Sequence, residues 1–263
     1  MVNIPNAPDT PATQASPDTG STDTRHPSAS PEAVWLIADE QTAGRGRRGK
    51  QWQAQPGGAL LASYGRELPA GKLHLLGTIP LVAGIVIAEY IGTLGVELGL
   101  KWPNDLCRRR SDSRQPWAKV GGILCETRWR GEGGRLVIGV GLNLLGTPDN
   151  LPVPDSRLNP LPVGAIFDET TPISADRLAI PVGEALHQGV TQLLAEGFAP
   201  FVSRWEQFDM LAGVPVRVHR EDGIRDATVI GIDDGGHLLV RHDDAPGQIH
   251  ALMAEQVSIR PRG

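Results

Sequence analysis

The feature that most constrains the fold is a change of sequence pattern near Leu211. Before it, apolar residues recur at helical spacing over 79–94 and 175–196, between short apolar runs typical of buried strands. After it, short β-type runs alternate with Gly and Asp turns. These runs cover 214–218, 227–232, 237–241, 248–252 and 257–259. Five such runs over so short a stretch predict a small SH3-like barrel behind a larger α/β domain.

The domain organisation follows from this change of pattern and from the composition of the N-terminus. Residues 1–32 are rich in Pro, Ser, Thr and Asp and offer little to bury, which predicts a poorly ordered segment. We therefore expect an α/β domain over 33–210 and the barrel over 211–263. No apolar run is long enough to span a bilayer, and the N-terminus has no signal-peptide core. These features predict a cytoplasmic protein.

Charge and cysteine content exclude some classes of function. The formal net charge is −5, so the chain as a whole is not built to coat nucleic acid. Its two cysteines, Cys107 and Cys125, lack the spacing of a metal site and predict ordinary reduced thiols.

The first segment that carries chemistry is a basic, glycine-rich loop over 41–50, followed by Trp52. Its glycines allow a tight turn that exposes backbone N–H groups. The loop contains four cations, Arg45, Arg47, Arg48 and Lys50. Such a loop suits an anion with several oxygens, for example the phosphates of a nucleotide. Binding of RNA, or a loop that only stays solvated, remains an alternative, and the spacing is not that of a Walker A loop.

Two further segments add polar groups next to buried strands. Asn104 and Asp105 follow the apolar run 98–101 and offer an amide for a base edge and a carboxylate for Mg²⁺. An ordinary Asn-Asp turn is the alternative. Lys119 precedes Gly121 and Gly122, where a ligand can lie close to the backbone while the ammonium offsets developing charge. A solvated lysine at the start of a strand is the alternative there.

Taken in order, these segments resemble the biotin–protein ligase family, of the single-function type without a DNA-binding domain. The likeness covers about 35–260 and rests on ordered motifs. These are Gln41-Thr-Ala-Gly-Arg-Gly-Arg-Arg-Gly49 with Trp52, Lys101-Trp-Pro-Asn-Asp105, Lys119-Val-Gly-Gly-Ile-Leu124 with Glu126, Gly139-Val-Gly-Leu-Asn143, Ser203-Arg-Trp205 and Val257-Ser-Ile-Arg260. The resemblance implies an α/β (α+β) catalytic domain like that of class II aminoacyl-tRNA synthetases, with a mixed sheet, and an SH3-like C-terminal barrel.

The resemblance also implies the reaction and the residues that perform it. ATP and Mg²⁺ would activate biotin to biotinyl-5′-AMP, from which biotin passes to a lysine of a biotin carboxyl carrier domain. Lys119 and Arg45 match the catalytic residues, and Asp105 matches the metal ligand. Biotin contacts are implied at Gln41, Arg45, Gly46, Arg47, Lys119, Gly122, Ser21 and Thr22. ATP contacts are implied at Arg45, Arg47, Arg48, Trp52, Asn104, Asp105 and Asn143.

The sequence departs from the family pattern at three places. Ser21-Thr22-Asp23 stands where the family has Ser-Thr-Asn, Leu61 stands where a tyrosine is usual, and 254–256 lacks the usual glycine. As partners we expect biotin and a carrier domain, no nucleic acid and no membrane, with a homodimer left open. The alternatives are a lipoate or octanoyl transferase, a non-catalytic biotin or nucleotide sensor, and a nucleic-acid-binding module.

Overall fold

The twelve strands described in the computed structural model form two β-sheets. The described residues are 24–27, 33–110, 116–130, 133–146, 161–168, 172–220, 223–254 and 257–261. One sheet has seven strands in the order β1-β2-β3-β7-β6-β5-β4. Its strands are β1 (Thr24–Pro27), β2 (Ala33–Ala38), β3 (Ala59–Pro69), β4 (Leu98–Lys101), β5 (Asp105–Arg109), β6 (Trp117–Arg130) and β7 (Gly133–Asn143). All five of its strand pairs whose register is described are antiparallel.

The second sheet has five strands and lies in the C-terminal part of the chain. Its order is β11-β10-β9-β8-β12, and every described pair is antiparallel. The strands are β8 (Pro215–Arg220), β9 (Gly223–Ile232), β10 (Leu238–His242), β11 (Ile249–Leu252) and β12 (Ser258–Pro261). The five predicted runs are therefore confirmed as strands.

Three helices complete the fold: α1 (Ile79–Thr93), α2 (Ala175–Glu196) and α3 (Ala199–Glu206). Helix α1 begins with Pro80 in its first turn, where proline needs no backbone hydrogen bond, and Gly95 with φ 81° follows its end. Its buried residues occur on all sides, as in a helix enclosed by the core. Helix α2 is amphipathic and buries Leu178, Val182, Leu186, Val190 and Leu193. Both long helices were predicted from apolar spacing and are confirmed. No helix among the described residues is long and apolar enough to cross a membrane.

The chain divides into two compact units. The first comprises 1–73, 120–151 and 164–188, and its sheet packs against the first part of α2. Trp35 and Tyr64 pair across β2 and β3, on one face of the sheet. A Cβ at Gly183 of α2 would lie 3.0 Å from the Trp35 ring, and the Tyr64 hydroxyl is 3.0 Å from Nδ1 of His187. Glycine at 183 therefore permits this close packing of helix on sheet.

The second unit comprises 74–119, 152–163 and 189–263. In this unit α1 packs against α3, and the Arg204 guanidinium donates to both carboxylate oxygens of Glu89 at 2.8 and 2.6 Å. The backbone N–H of Leu100 donates to Phe208 O at 2.7 Å, which fixes the chain after α3 against β4.

The structure corrects three expectations about the larger sheet. The sheet was expected to be mixed, yet the five strand pairs whose register is described are all antiparallel. The charged run 108–115 predicts a hairpin tip from sequence, but Arg108 and Arg109 belong to β5, which begins at Asp105. Within 1–32, the segment Thr24–Pro27 forms β1, and pairing with β2 uses backbone groups that need no apolar side chain. The predicted domain boundaries themselves stay a prediction.

Candidate active site

The basic loop is a tight hairpin in the first unit. Arg45 and Gln51 form an antiparallel bridge, Trp52 N donates to Gly44 O at 2.9 Å, and Gly46 N donates to Lys50 O at 2.7 Å. A Cβ at Gly44 would lie 2.5 Å from the Trp52 carbonyl oxygen, so only glycine fits there. The turn at the tip is a 3₁₀ turn over Arg47–Gly49. The structure therefore presents the cations of this loop on a defined backbone.

Trp52 lies over a glycine of the sheet in the same unit. A Cβ at Gly141 would come within 2.5 to 2.8 Å of three indole atoms of Trp52. Gly141 is paired with Leu61 of β3 on one side and with Gly122 of β6 on the other. Residues directly opposite one another share a face, so Trp52, Leu61 and Gly122 border the same patch of sheet. This is the face opposite to the one that packs on α2, because Leu61 and Tyr64 are three residues apart on β3.

Asn143 closes one end of this patch. Its side chain is 3% exposed, and Nδ2 donates to Gly164 O at 3.2 Å. Its Oδ1 atom has no hydrogen-bond partner among the described residues. A buried amide oxygen without a donor is costly, and a ligand N–H would satisfy it.

Three charged side chains meet in the second unit. Lys119 Nζ is 2.5 Å from Oδ1 of Asp105, and Lys101 Nζ is 3.8 Å from Oδ2 of the same carboxylate. The Lys119 backbone N–H donates to Pro162 O at 2.7 Å, which fixes the start of β6. Burial lowers the pKa of Lys101, while the negative charge of Asp105 opposes that change.

The turn that contains Asp105 is anchored to the C-terminal sheet. Trp102 is 2% exposed, and its indole Nε1 donates to Gly236 O at 3.0 Å. Gly236 has φ 75° and lies between β9 and β10, and a Cβ there would come within 2.8 Å of Leu81 of α1. Both the backbone conformation and the space therefore require glycine at this position.

The predicted metal role of Asp105 does not fit this geometry. Both carboxylate oxygens have an ammonium group within 4 Å, and these cations would repel a divalent ion.

Comparison with known proteins identifies the family. The sequence profile of the biotin/lipoate A/B protein ligase family matches residues 12–143. The biotin--[acetyl-CoA-carboxylase] ligase of Paracoccus denitrificans is 31% identical, over 80% of this chain and 84% of that protein. The chain belongs to the biotin/lipoate A/B protein ligase family. The bifunctional ligase/repressor BirA of Escherichia coli (strain K12) is 35% identical over 85% of this chain, which spans 65% of that protein's length.

Solved structures of this family share the fold. The biotin protein ligase of Aquifex aeolicus, in complex with biotin and ATP, aligns with a TM-score of 0.66 and 22% identity, covering 87% of this chain and 89% of that one. The same protein without ligands aligns with a TM-score of 0.60 and 19% identity, over 87% of this chain and 88% of that one. These likenesses confirm the α/β architecture with a C-terminal β-sheet.

With the family established, the predicted site residues fall into two groups. Gln41, Arg45, Gly46, Arg47, Arg48, Trp52, Gly122 and Asn143 belong to the first unit, and Asn104, Asp105 and Lys119 belong to the second. The structure brings Trp52 close to the strand of Gly122, and Lys119 to Asp105. Ser21 and Thr22 lie outside the described residues. The sequence interpretation missed Lys101 as a partner of Asp105, although the four-residue spacing around a turn could have indicated it.

The two cysteines play no part in this chemistry. Cys107 and Cys125 are free thiols. Burial raises the pKa of Cys107 to about 12 and also raises that of Cys125. Both stay protonated at neutral pH, so neither is a nucleophile.

Proposed function

We propose that this chain is a biotin–protein ligase, which joins biotin and ATP into biotinyl-5′-AMP and transfers the biotinyl group to a lysine of a biotin carboxyl carrier domain. In the first step, a biotin carboxylate oxygen attacks the α-phosphorus and pyrophosphate leaves. In the second, the lysine amine attacks the acyl carbon and AMP leaves. Family membership supports this proposal, as do the relatives named for ligation of biotin to acetyl-CoA carboxylase.

The observation that carries the proposal is the Lys119–Asp105 ion pair at the start of β6. A lysine ammonium held by a carboxylate has a fixed direction, so it can stabilise the charge that develops on the phosphoryl oxygens. Gly122 lies on the same strand, and its lack of a side chain suits a backbone contact with biotin. We assign Lys119 as the main electrostatic catalyst and Gly122 as a backbone contact for biotin.

The first unit by itself contains groups that suit phosphate, adenine and biotin. The basic hairpin offers Arg45, Arg47 and Arg48 to phosphate and carboxylate oxygens. Trp52 offers an aromatic face for adenine, and Asn143 offers an unsatisfied Oδ1 for a ligand N–H. We propose Gln41 and Gly46 as further biotin contacts and Asn104 as a nucleotide contact, with Ser21 and Thr22 as contacts carried by the resemblance alone.

The same proposal covers the domain types, the metal ion, the cellular location and the partners. The catalytic domain would be of the class II aminoacyl-tRNA synthetase type, and the five-stranded sheet would form an SH3-like barrel. Mg²⁺ would arrive bound to the ATP phosphates, because Asp105 is engaged by lysines. The enzyme would act in the cytoplasm on a carboxylase carrier domain without binding nucleic acid, and a homodimer fits this activity.

The transfer reaction itself tests the proposal. Purified protein is incubated with labelled biotin, ATP, Mg²⁺ and a carrier domain, with ATP omitted in one arm and lipoate replacing biotin in another. We expect label on the carrier only with biotin and ATP. Lys119→Met should slow adenylate formation by about 10²–10³-fold, as for loss of a transition-state charge contact. Lys72→Met, a lysine outside the motifs, should leave the rate unchanged.

Each alternative gives a distinct result in this assay. Transfer of lipoate in place of biotin would identify a lipoate ligase. Binding of biotin or ATP with neither adenylate nor labelled carrier would identify a sensor. Full activity of Lys119→Met would disprove the assigned role of that lysine while leaving the ligase activity in place.

A further inference from the structure

The cluster around Asp105 contains one cation that the proposed chemistry does not use. Lys101 is the last residue of β4, and Asp105 is the first residue of β5 in the same hairpin. The two residues are directly paired in the register of these strands, so their side chains point to the same face. Lys119 reaches the carboxylate from the start of β6.

Burial distinguishes the two lysines. The Lys101 side chain is 9% exposed, whereas the Lys119 side chain is 29% exposed and therefore accessible to a ligand. Burying a lysine is unfavourable, and burial accordingly lowers the pKa of Lys101, with Lys119 lowering it further and Asp105 raising it. A fold that tolerates this cost gains a fixed charge close to Asp105.

The arrangement assigns one oxygen of the carboxylate to each lysine. Lys119 lies against Oδ1 and Lys101 lies 3.8 Å from Oδ2. A carboxylate held from both sides cannot rotate about its terminal bond without losing one ion pair. The more exposed lysine is then held in one direction by the buried one.

We propose that Lys101 is a positioning residue that holds Asp105, so that Asp105 fixes the direction of the Lys119 ammonium. Asp105 is the shared counter-ion of the two lysines and not a ligand of Mg²⁺. This inference rests on the proposed function, in which Lys119 acts on the reacting groups. It adds a residue outside the predicted site and replaces the metal role that the resemblance implied for Asp105.

Kinetics of adenylate formation by the full-length protein test the positioning role. Lys101→Met removes the charge but keeps the length of the side chain, and we expect kcat to fall by about 10²-fold, the cost of a misplaced catalytic group, with little change in KM for biotin or ATP. Lys101→Arg keeps the charge and should recover about tenfold of that loss. Arg225→Met, which breaks an exposed ion pair with Asp244 in the same unit, is the matched control and should keep kcat.

The magnesium dependence separates the two roles of Asp105. Asp105→Asn should lower kcat as Lys101→Met does, without raising the Mg²⁺ concentration that gives half-maximal rate. Calorimetric titration with MgCl₂ in the absence of nucleotide should give the same result for wild type and Asp105→Asn. A higher Mg²⁺ requirement, or weaker Mg²⁺ binding by Asp105→Asn, would overturn the counter-ion assignment.

A measurement that does not depend on catalysis distinguishes failure of this inference from failure of the proposed function. Reductive methylation of Lys119, followed by peptide mass spectrometry, should be slower in Lys101→Met than in the wild type or in Arg225→Met, because Asp105 then pairs with Lys119 alone. Unchanged methylation, or unchanged kcat in a folded Lys101→Met protein, would overturn the inference. An inactive wild type whose Lys119 still becomes less reactive in Lys101→Met would disprove the ligase proposal alone.

Discussion

The contact between Trp52 and Gly141 gives a quantitative test of the site. In Gly141→Ala, the new Cβ would lie 2.5, 2.7 and 2.8 Å from the indole atoms Cε2, Cζ2 and Nε1. These distances are shorter than normal contacts between carbon atoms. The indole is a rigid ring, so it must tilt or lift away from β7 as a whole.

The expected change in the free energy of unfolding of Gly141→Ala is the balance of two opposing effects. Overpacking of this kind costs about 1–3 kcal/mol. Replacing glycine by alanine inside a strand returns about 0.5–1 kcal/mol. We therefore expect Gly141→Ala to lower the free energy of unfolding by about 1 kcal/mol. In a Trp52→Ala background the clash is absent, so the same substitution should stabilise the protein by about 0.5–1 kcal/mol.

Guanidinium unfolding of the four proteins in this double-mutant cycle measures the effect, and ATP saturation of adenylate formation measures its consequence for the site. If Trp52 borders adenine, its displacement should raise KM for ATP about tenfold, equivalent to 1.4 kcal/mol. Gly133→Ala is the control, because it lies on the same strand and its Cβ would meet only Leu68 O at an ordinary 3.7 Å. A penalty that persists without Trp52, or Gly133→Ala behaving like Gly141→Ala, would refute this reasoning.

Three further substitutions test other contacts. Trp102→Phe leaves the buried carbonyl of Gly236 without its indole donor, so the free energy of unfolding, measured with urea, should fall by about 1–3 kcal/mol. No change would show that this hydrogen bond contributes nothing to stability. Arg204→Lys loses the bidentate contact with Glu89. Because both side chains are partly exposed, we expect the free energy of unfolding to fall by only about 0.5–1 kcal/mol, and by less at high salt. A loss that does not depend on salt would contradict an ionic origin. Because burial lowers the pKa of Lys101 in the folded protein, the unfolded chain binds more protons between that folded pKa and about 10.4. The stability of the wild type relative to Lys101→Met should therefore rise with pH through that window. A difference in unfolding free energy that stays flat or falls would contradict the burial of this lysine.

Local pattern was sufficient for most of the secondary structure. The apolar spacing of α1 and α2 depends only on residues within each helix, and the structure places both helices where that spacing predicts them. Strand β5 was missed because its five residues include Asp105, Arg108 and Arg109, which carry no apolar alternation. That segment is a strand because β4 pairs with it, residue by residue.

The relative direction of the strands in the sheet also cannot be predicted from local sequence pattern. The sequence contains the strands but not their partners, so the mixed sheet implied by the resemblance could not be checked before the register was known. The pairing of β3 with β7, which are separated by about 70 residues in the chain, brings Leu61 beside Gly141. No local signal specifies that neighbour.

What the sequence by itself determined is the family, the two-part pattern of the chain and the residue types of the site. Basic side chains in a glycine-rich loop, a carboxylate after a strand and a lysine before paired glycines can all be recognised one segment at a time. Only the tertiary structure decided which of them touch. Asp105 pairs with Lys101 and Lys119, because a four-residue turn and a separate strand bring two ammonium groups to one carboxylate. Such pairings depend on distances between segments that are remote in sequence, and those distances are set by packing.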